Sequence, residues 1–519
     1  MKFYQLLGLV CFIAILSTIP GNAQVKYISP DVTFSDSGHF INPKLGNSYE
    51  DVFAVDVQPD GKILTSGASG NGTKQATIVR FFANGGLDSS FGHDGYVLLP
   101  YVSNMGNGGG GIKVLKSGKI VANGSNDSCG FVVRLLPNGA IDSSFGKNGF
   151  VVHIRMHDCS CPGPIYVAKD GSIITAYIHA TSPNNPILVK MDSNGVLDNN
   201  FGTAGEVVVN EIILRGRIYL DHNDNILVCG KTGSSGIISV MRFLPNGTRD
   251  NTFGTNGLAD IAVADSPTIK YSTYYMNNTL VVLPDNSMIL SASNGQFKLP
   301  VIAIHLLANG KQDLDYGQNG MAYPGFQFAT PWCGLAFANN EVLLMGIWYF
   351  NTSYTVITGE LTALTADGKI DTTLFGKTNN LMFQYDPSKT ADRYTHPFAM
   401  CFASGGKIIT AGYTFTSIWL AKYNYGGFGS GIEKNTPSAQ FRVYPNPSGS
   451  YAMLNIDNPD KSKMEFEVFD ITGKTILTKS LNTDTQNTRI ETAEWPDGVY
   501  FIQLHGANSV STIKLVVQH

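Results

Sequence analysis

Aspartates that recur in one sequence setting are the most regular candidates for chemistry in this chain. Each is followed three or four residues later by Phe or Tyr and then by glycine, in seven copies: Asp31, Asp88, Asp142, Asp198, Asp250, Asp313 and Asp371. A calcium site needs about six to eight oxygens, and one carboxylate per repeat does not supply them. An Asp side chain also accepts hydrogen bonds from backbone N–H groups about two residues further on. We therefore interpret these residues as turn formers, with the aromatic residue packed between repeats.

Two other stretches contain side chains that could bind a metal ion. Residues 221–225 are similar to a calcium loop, but the glycine and the later bidentate glutamate of such loops are missing. The densest group of zinc-type ligands is His153, His157, Asp158, Cys159 and Cys161. Its Cys-x-Cys spacing differs from the usual Cys-x-x-Cys of zinc sites. We expect neither stretch to hold a metal, and we expect no cofactor.

The sequence contains no familiar catalytic signature. It lacks the Gly-x-Ser-x-Gly nucleophile elbow and the sialidase-type Ser-x-Asp-x-Gly-x-Thr-Trp box. Carboxylates from different repeats could still meet in space, as they do in glycosidases. We therefore predict no catalytic residue, leave enzymatic activity open and favour a binding protein.

Short strands must position all of these residues. A second motif alternates with the aspartate repeat: two apolar runs joined by a tight turn, as at residues 59–62. Asp-Gly or Asn-Gly between apolar runs predicts a hairpin, because these residues tolerate positive φ. The first unit then has four strands, near residues 52–57, 62–67, 76–82 and 95–99. Four short strands in a repeat of this length predict an all-β fold built from propeller blades.

The ends of the array predict how a seven-bladed β-propeller over residues 24–429 closes. The last unit lacks the aspartate turn and its fourth strand, whereas the chain begins with an unattached copy of both at 31–41. We predict that this N-terminal strand completes the last blade, with residues 39–43 paired against 418–424. Closure of this kind removes exposed strand edges.

Strand order separates the turns onto two faces of the propeller. The first–second and third–fourth turns share one face, which holds both repeated motifs, and the irregular loops lie on the other. Aromatic residues gather among the irregular loops. Because a ring with a polar group suits sugars and peptides, we predict a glycan or peptide site there, with packing inside the blades as the alternative. The predicted site residues are Tyr271, Tyr274, Trp332, Trp348, Tyr349 and Tyr394.

The repeated stretches follow the pattern Asn/Asp-Gly-x-x-Asp-x-x-Phe-Gly-x-x-Gly, as at residues 138–149. In this they resemble the delta-60 repeat family, which occurs in bacterial secreted and surface proteins. The resemblance covers residues 31 to about 429 and is clearest in the first four full copies. It implies a propeller-like fold and no established activity.

The composition changes after the repeats. A Gly-rich and polar stretch predicts a linker at residues 430–440. Residues 441–519 contain about seven short alternating strands, which predict a small Ig-like β-sandwich.

Four stretches of this C-terminal region resemble the sorting domain of the type IX secretion system. They are Val443-Tyr444-Pro445-Asn446-Pro447, residues 468–474, residues 497–502 and the ending that begins at Lys514. The resemblance implies that the type IX secretion machinery is a partner and that the protein crosses the outer membrane of a Gram-negative bacterium. It further implies removal of the domain, with the passenger released or attached to surface lipopolysaccharide. An unrelated ligand-binding Ig-like module is the alternative.

The N-terminus and the overall charge narrow the function classes. Met1-Lys2, an apolar run at 6–16 and small residues at 21–23 predict a signal peptide over residues 1–23. A net charge of −4 without a long basic run argues against nucleic-acid binding. We therefore predict an exported protein, secreted or on the cell surface, that binds a glycan or a peptide. An extracellular polysaccharide- or peptide-degrading enzyme and a structural surface component are the alternatives.

Overall fold

The computed structural model describes the chain from residue 26 onward, with gaps. The described residues are 26–35, 38–41, 49–70, 73–103, 109–126, 129–153, 163–178, 185–232, 237–261, 279–292, 301–325, 329–349, 357–375, 380–382, 396–414, 417–426, 440–457, 464–470, 474–482, 487–505 and 510–519. The signal peptide and nearly all of the linker lie outside them. The chain divides into two compact units, residues 1–429 and 430–519, and all regular elements of the described part are β-strands.

In the first unit, two short strands precede six four-stranded antiparallel sheets. The short strands are β1 (Tyr27–Pro30) and β2 (His39–Ile41). Sheet 1 contains β3 (Tyr49–Val57), β4 (Ile63–Gly70), β5 (Lys74–Phe81) and β6 (Tyr96–Ser103). Sheet 2 contains β7 (Gly109–Val114), β8 (Ile120–Ser125), β9 (Gly130–Leu135) and β10 (Phe150–His153). Sheet 3 contains β11 (Ile165–Val167), β12 (Ile173–Ile178), β13 (Pro186–Met191) and β14 (Glu206–Val208).

The next three sheets repeat this order. Sheet 4 contains β15 (Ile212–Leu220), β16 (Ile226–Thr232), β17 (Ile237–Phe243) and β18 (Leu258–Asp260). Sheet 5 contains β19 (Thr279–Val282), β20 (Met288–Ala292), β21 (Ile302–Leu306) and β22 (Met321–Ala322). Sheet 6 contains β23 (Ala329–Ala336), β24 (Val342–Tyr349), β25 (Ile357–Leu364) and β26 (Asn380–Met382).

Sheet 7 joins the two ends of the repeat array. It contains β27 (His396–Ala403), β28 (Lys407–Tyr413) and β29 (Ile418–Gly426), and both N-terminal strands pair with β29. In β2, His39 pairs with Ala421 and Ile41 with Trp419, which confirms the predicted pairing of these two regions. Sheet 7 also packs on sheet 1 through β27 and β3. We infer that the seven sheets are blades of one ring, with their first strands around its axis.

Each repeated aspartate caps its own turn, as predicted. Asp88 Oδ1 accepts hydrogen bonds from Ser90 N at 3.1 Å and from Ser90 Oγ at 2.5 Å, while Oδ2 accepts one from Arg80 Nε at 2.9 Å. Asp31 has the same role in sheet 7. Burial alone would raise the pKa of Asp31, but hydrogen bonds from Thr33 and Lys407 outweigh it and lower that pKa to about 2. These aspartates are therefore structural anions in the folded protein.

The same repeat fastens each sheet to the next. The Arg242 guanidinium lies 4.5 Å from the centre of the fully buried Phe253 ring, and its Nη1 donates to Ala308 O of sheet 5 at 2.6 Å. Gly254 N donates to Asn309 O at 2.7 Å. Equivalent contacts recur around the ring, which confirms that the aromatic residue packs between repeats and explains why one face of the propeller is uniform.

The second unit is a sandwich of two sheets. One sheet orders β30 (Gln440–Tyr444), β31 (Tyr451–Asp457) and β34 (Asn487–Glu491). The other orders β33 (Thr475–Leu481), β32 (Met464–Asp470), β35 (Gly498–His505) and β36 (Val510–Val517). Alternate residues of β32 are buried, and they join Leu454 and Leu515 in one core. This matches the seven strands expected from the sequence.

Candidate functional site

Half of the predicted aromatic site can be located on the backbone. Trp332 lies in β23, and Trp348 and Tyr349 end β24. Trp348 pairs with Ala329 at the start of β23, so these aromatic residues share the end of sheet 6 that faces the irregular loops. Tyr271, Tyr274 and Tyr394 lie outside the described residues.

A β-bulge in the first strand gives three consecutive sheets an aromatic residue at one position. The pairing of β23 with β24 skips Trp332, that of β27 with β28 skips Phe398, and that of β3 with β4 skips Phe53. The bulge of sheet 2 contains Gly110 and Gly111 instead. Bulges re-aim side chains and are common beside active sites. One side of the ring thus carries aromatic bulges, and the neighbouring sheet carries none.

The strand opposite each of these bulges carries a glycine for a steric reason. Val52 pairs with Gly67, and Pro397 pairs with Gly412. A Cβ on Gly67 would lie 1.7 Å from the Asp51 carbonyl oxygen, and one on Gly412 would lie 1.9 Å from that of His396. In these two sheets the bulged backbone of the first strand therefore requires a glycine at the facing position of the second strand.

Four rings form a continuous cluster from sheet 7 to sheet 1, and we call Phe53, His396, Phe398 and Tyr413 the aromatic cluster. The His396 and Tyr413 rings are parallel with centroids 5.1 Å apart, and Phe398 stacks on Tyr413 at 5.3 Å. Phe53 meets Phe398 edge-on at 5.7 Å. All four side chains are partly exposed. The cluster therefore offers an apolar surface beside the irregular loops.

Burial fixes the charge of the histidine in this cluster. It lowers the pKa of His396 to about 4, so the imidazole is neutral at neutral pH. Among the described residues, His396 Nδ1 is buried and has no hydrogen-bond partner. A neutral imidazole has one N–H donor and one acceptor nitrogen.

Polar groups lie next to the aromatic cluster. Asp51, which occupies in β3 the position of His396 in β27, forms an ion pair with Lys74 at the start of β5. A small cavity of about 10 Å³, with room for about one water molecule, begins here, lined by Glu50, Asp51, Thr65, Ser69 and Thr77 together with apolar residues. The site thus combines apolar rings with carboxylate and hydroxyl groups, and its basic side chain is neutralised by a neighbour.

None of the four residues of the aromatic cluster was predicted from the sequence. A signal was nevertheless present, because Val52-Phe53-Ala54, Pro331-Trp332-Cys333 and Pro397-Phe398-Ala399 hold one position before the hairpin turn. Only Trp332 of these aromatic residues was among the predicted ones. Alignment of the units on their glycines would have shown all three.

A chain of three side chains in sheet 5 has the order of a hydrolase triad. His305 Nδ1 lies 2.8 Å from Asp313 Oδ2, and His305 Nε2 lies 2.9 Å from Ser287 Oγ. Ser287, however, is 3% exposed, and its hydroxyl donates to Asp285 Oδ1 at 2.5 Å. His305 also occupies the position of Arg80 in sheet 1. A substrate cannot reach this serine, and we assign the contacts to the aspartate repeat.

The described part of the stretches considered for metal binding has a structural role. Asp221 Oδ1 accepts hydrogen bonds from Asn223 N at 2.8 Å and from Asn225 N at 2.9 Å, as in the other turns. His157, Asp158, Cys159 and Cys161 lie outside the described residues. Within the described ranges, His, Cys, Asp and Glu form no group of three or more that could hold a metal ion.

Comparison with known domain families identifies the second unit. The two sheets and the single core of this unit are formed by the same residues whose sequence resembles a sorting domain. Residues 442–518 match the secretion system C-terminal sorting domain. The sorting domain indicates export through the type IX secretion system, to the cell surface or the medium, and makes that machinery a partner of the chain. Residues 58–91, 115–145 and 223–253 match a β-propeller domain of unknown function, which agrees with the sheets of the first unit.

Several solved structures align with this chain at low similarity. A catalytically inactive virginiamycin B lyase from Staphylococcus aureus with quinupristin has a TM-score of 0.45 and 12% identity, over 74% of this chain and 99% of that one. A Dyadobacter fermentans protein of unknown function aligns with a TM-score of 0.38 and 10% identity, over 77% of this chain and 99% of that one. The polysaccharide lyase Uly1 aligns with a TM-score of 0.35 and 10% identity, over 77% of this chain and 91% of that one. Scores this low support no conclusion about activity. No curated protein matches the chain by sequence.

In the part of the chain that the structure describes, no helix has the length and apolar character needed to cross a membrane.

Proposed function

We propose that this protein is an exported binding protein that holds a glycan or a peptide at the aromatic cluster. One observation carries the proposal: the aromatic residues at equivalent bulges of three consecutive sheets, Trp332, Phe398 and Phe53. The fold does not require a ring at this position, since the bulge of sheet 2 is made of glycines. The rings of Phe53 and Phe398, which lie beside polar groups, match the usual composition of a small-ligand site.

The charges of the site favour a ligand without strong charge. Lys74 is paired with Asp51, and the imidazole of His396 is neutral because burial lowers its pKa to about 4. Among the described residues, neither Lys74 nor His396 therefore offers an unpaired positive charge that could recognise a phosphate or a uronate. Sugars fit this surface because their apolar ring faces stack on aromatic rings while their hydroxyl groups bond to polar neighbours. We place neutral glycans first and apolar peptides second.

Array binding with matched variants tests the proposal. The mature chain, beginning at Gln24, is screened against glycan and peptide arrays, and hits are measured by calorimetry. The double variant Phe53→Ala/Phe398→Ala should lose roughly tenfold or more in affinity, because one aromatic contact contributes about 0.5–1.5 kcal/mol. The variant Trp332→Ala should lose affinity in the same direction.

Phe82→Ala is the matched control. Phe82 follows β5, is 42% exposed and lies on the face of the repeated turns. Removal of the Phe82 ring should leave the affinity for the array ligand unchanged. Equal affinities for the control and the double variant would mean that the cluster only packs the blades together, and the proposed site would be abandoned.

An extracellular hydrolase or lyase is the second candidate. The observation that favours it is the pair of neighbouring carboxylates, Glu50 and Asp51, in the cavity beside the aromatic cluster. Incubation of each array hit with the protein, followed by chromatography, tests for turnover, and Asp51→Asn should abolish any activity found.

The sorting domain supports a further proposal, that the passenger is attached to surface lipopolysaccharide or released.

A further inference from the structure

In most sheets of the first unit, the repeated aspartate is held by a cation of the third strand. The cation stands eight residues before the aspartate, as Arg80 does before Asp88. The corresponding cations of sheets 2, 3 and 4 are Arg134, Lys190 and Arg242, and sheet 5 has His305 at this position. In sheet 6 this position is Ala363, whose carbonyl accepts from Asp371 N as the Arg80 carbonyl accepts from Asp88 N. Sheet 6 therefore lacks the cation of its own repeat.

Sheet 6 also lacks a positive charge at a second position where other sheets have a lysine. The residue that opens the second strand is Lys119 in sheet 2 and Lys407 in sheet 7, and each lysine lies within 2.9 Å of its repeated aspartate. In sheet 6 this residue is Glu341. Glu341 is 7% exposed and Asp371 is 4% exposed. Two buried carboxylates thus share a site to which the described residues of sheet 6 contribute no positive charge. Such an arrangement is costly unless a cation is supplied.

The N-terminal segment supplies that cation. Lys26 Nζ donates to Glu341 Oε1 and lies 3.3 Å from Asp371 Oδ2. Burial alone would lower the pKa of Lys26, but the two carboxylates outweigh it and raise that pKa. The next residues continue the contact, since Ile28 N donates to Leu374 O of sheet 6 at 3.2 Å while β1 pairs with β29 of sheet 7.

We propose that Glu341 and Asp371 form a docking site for the mature N-terminus, with the Lys26 ammonium group as its ligand. Docking fastens the N-terminal strand to sheets 6 and 7 at once and so holds the ring closed. If the signal peptide is removed before Gln24, only two residues precede Lys26. Loss of three residues from the mature N-terminus would then remove the ligand of this site.

Charge removal at constant side-chain length is the first test, made on the whole mature chain. Lys26→Met should raise the unfolding constant of the propeller by roughly ten- to a hundredfold, because it leaves two carboxylates without a cation while Lys26 itself is partly exposed. Amide exchange at Ile28 should accelerate as the strand detaches. Lys26→Arg, which keeps the charge, should retain the slow exchange.

An exposed ion pair of the same sheet provides the control. Lys369 Nζ lies 2.6 Å from Asp367 Oδ2, with 79% and 56% of these side chains exposed. Lys369→Met should change neither the unfolding constant nor the exchange of Ile28. An effect equal to that of Lys26→Met would overturn the proposal, because any loss of a surface charge would then suffice.

Rescue separates charge from packing. In the Lys26→Met background, Glu341→Gln should restore most of the lost stability by removing one unpaired carboxylate. Ala363→Lys should do the same by restoring the cation of the repeat. Failure of both to rescue would show that Lys26 acts through its aliphatic stem. Unchanged stability and exchange in Lys26→Met would contradict the docking site directly.

Discussion

Two glycines of sheet 3 allow the contact between sheets to be separated from backbone strain. Gly171 and Gly195 both have φ of +83°. A Cβ on Gly171 would have no atom within 4 Å, whereas one on Gly195 would lie 3.0 Å from the Phe145 ring and 2.8 Å from Val151 Cγ2, both of sheet 2. Alanine at positive φ costs about 1 kcal/mol. Overpacking adds about 1–3 kcal/mol. We therefore expect Gly171→Ala to cost about 1 kcal/mol and Gly195→Ala about 2–4 kcal/mol.

Urea denaturation of the mature chain measures the difference. The propeller transition can be followed by tryptophan fluorescence, to which the buried Trp419 contributes. The m-values of both variants should equal that of the parent, so the shift in midpoint reports stability. Equal midpoints for the two variants would refute the reasoning, because they would show that the ring of one sheet does not press on the turn glycine of the next.

Two histidines give further predictions. Burial lowers the pKa of His396 to about 4, so the folded protein resists protonation of this side chain more than the unfolded chain does. The free energy of unfolding should therefore be highest above pH 6.5 and should fall by about 3 kcal/mol as the pH decreases towards 4. His396→Phe should remove that loss in urea titrations at pH 7 and pH 5, and an unchanged pH dependence would contradict the burial argument. His305→Arg should raise the free energy of unfolding by about 1 kcal/mol and shift the urea midpoint upward, because Arg places a permanent cation beside Asp313, as in sheets 1, 2 and 4. His93→Arg is its control, since His93 is 92% exposed, and an equal gain there would count against a specific effect.

The strands could be predicted closely because one short-range signal determines them. The expected strand near residues 52–57 lies within β3, and that near 76–82 overlaps β5. Buried and exposed side chains alternate in β32 and β34, and this period of two residues is readable without knowledge of the partner strand. In strands such as β8 and β9, which are buried throughout, a short apolar run bounded by turn residues is the signal. The same holds for the turn role of the aspartates, whose hydrogen bonds span only two residues.

The cation that pairs with a repeated aspartate could have been found in the sequence from its constant spacing, but it was not predicted. Arg134 stands eight residues before Asp142, and Arg242 stands eight residues before Asp250. A constant offset of this kind crosses the turn between two strands, and it is therefore invisible to a search for local turn chemistry. Once the offset is known, Ala363 in sheet 6 is the exception, and that exception points to Lys26.

The aromatic cluster could not be predicted in the same way. Phe53 and Phe398 stand near opposite ends of the propeller sequence and meet because sheet 7 packs on sheet 1. The bulge that presents them changes the register by one residue, and alternation alone does not reveal such a shift. The sequence could indicate which face carries aromatic residues, while their positions required the strand pairing.

The two faces of the propeller differ in how much each side chain is constrained. On the face of the repeated turns, the aspartate, the cation, the aromatic ring and the glycine contact one another, so a change at one of them disturbs the next sheet. At the bulge a residue has no ladder partner, and sheet 2 tolerates Gly110 where sheet 1 has Phe53. A side chain that the fold does not need can be selected for another purpose. The aromatic residues at this position in three adjacent sheets are therefore the basis of the ligand site that we propose.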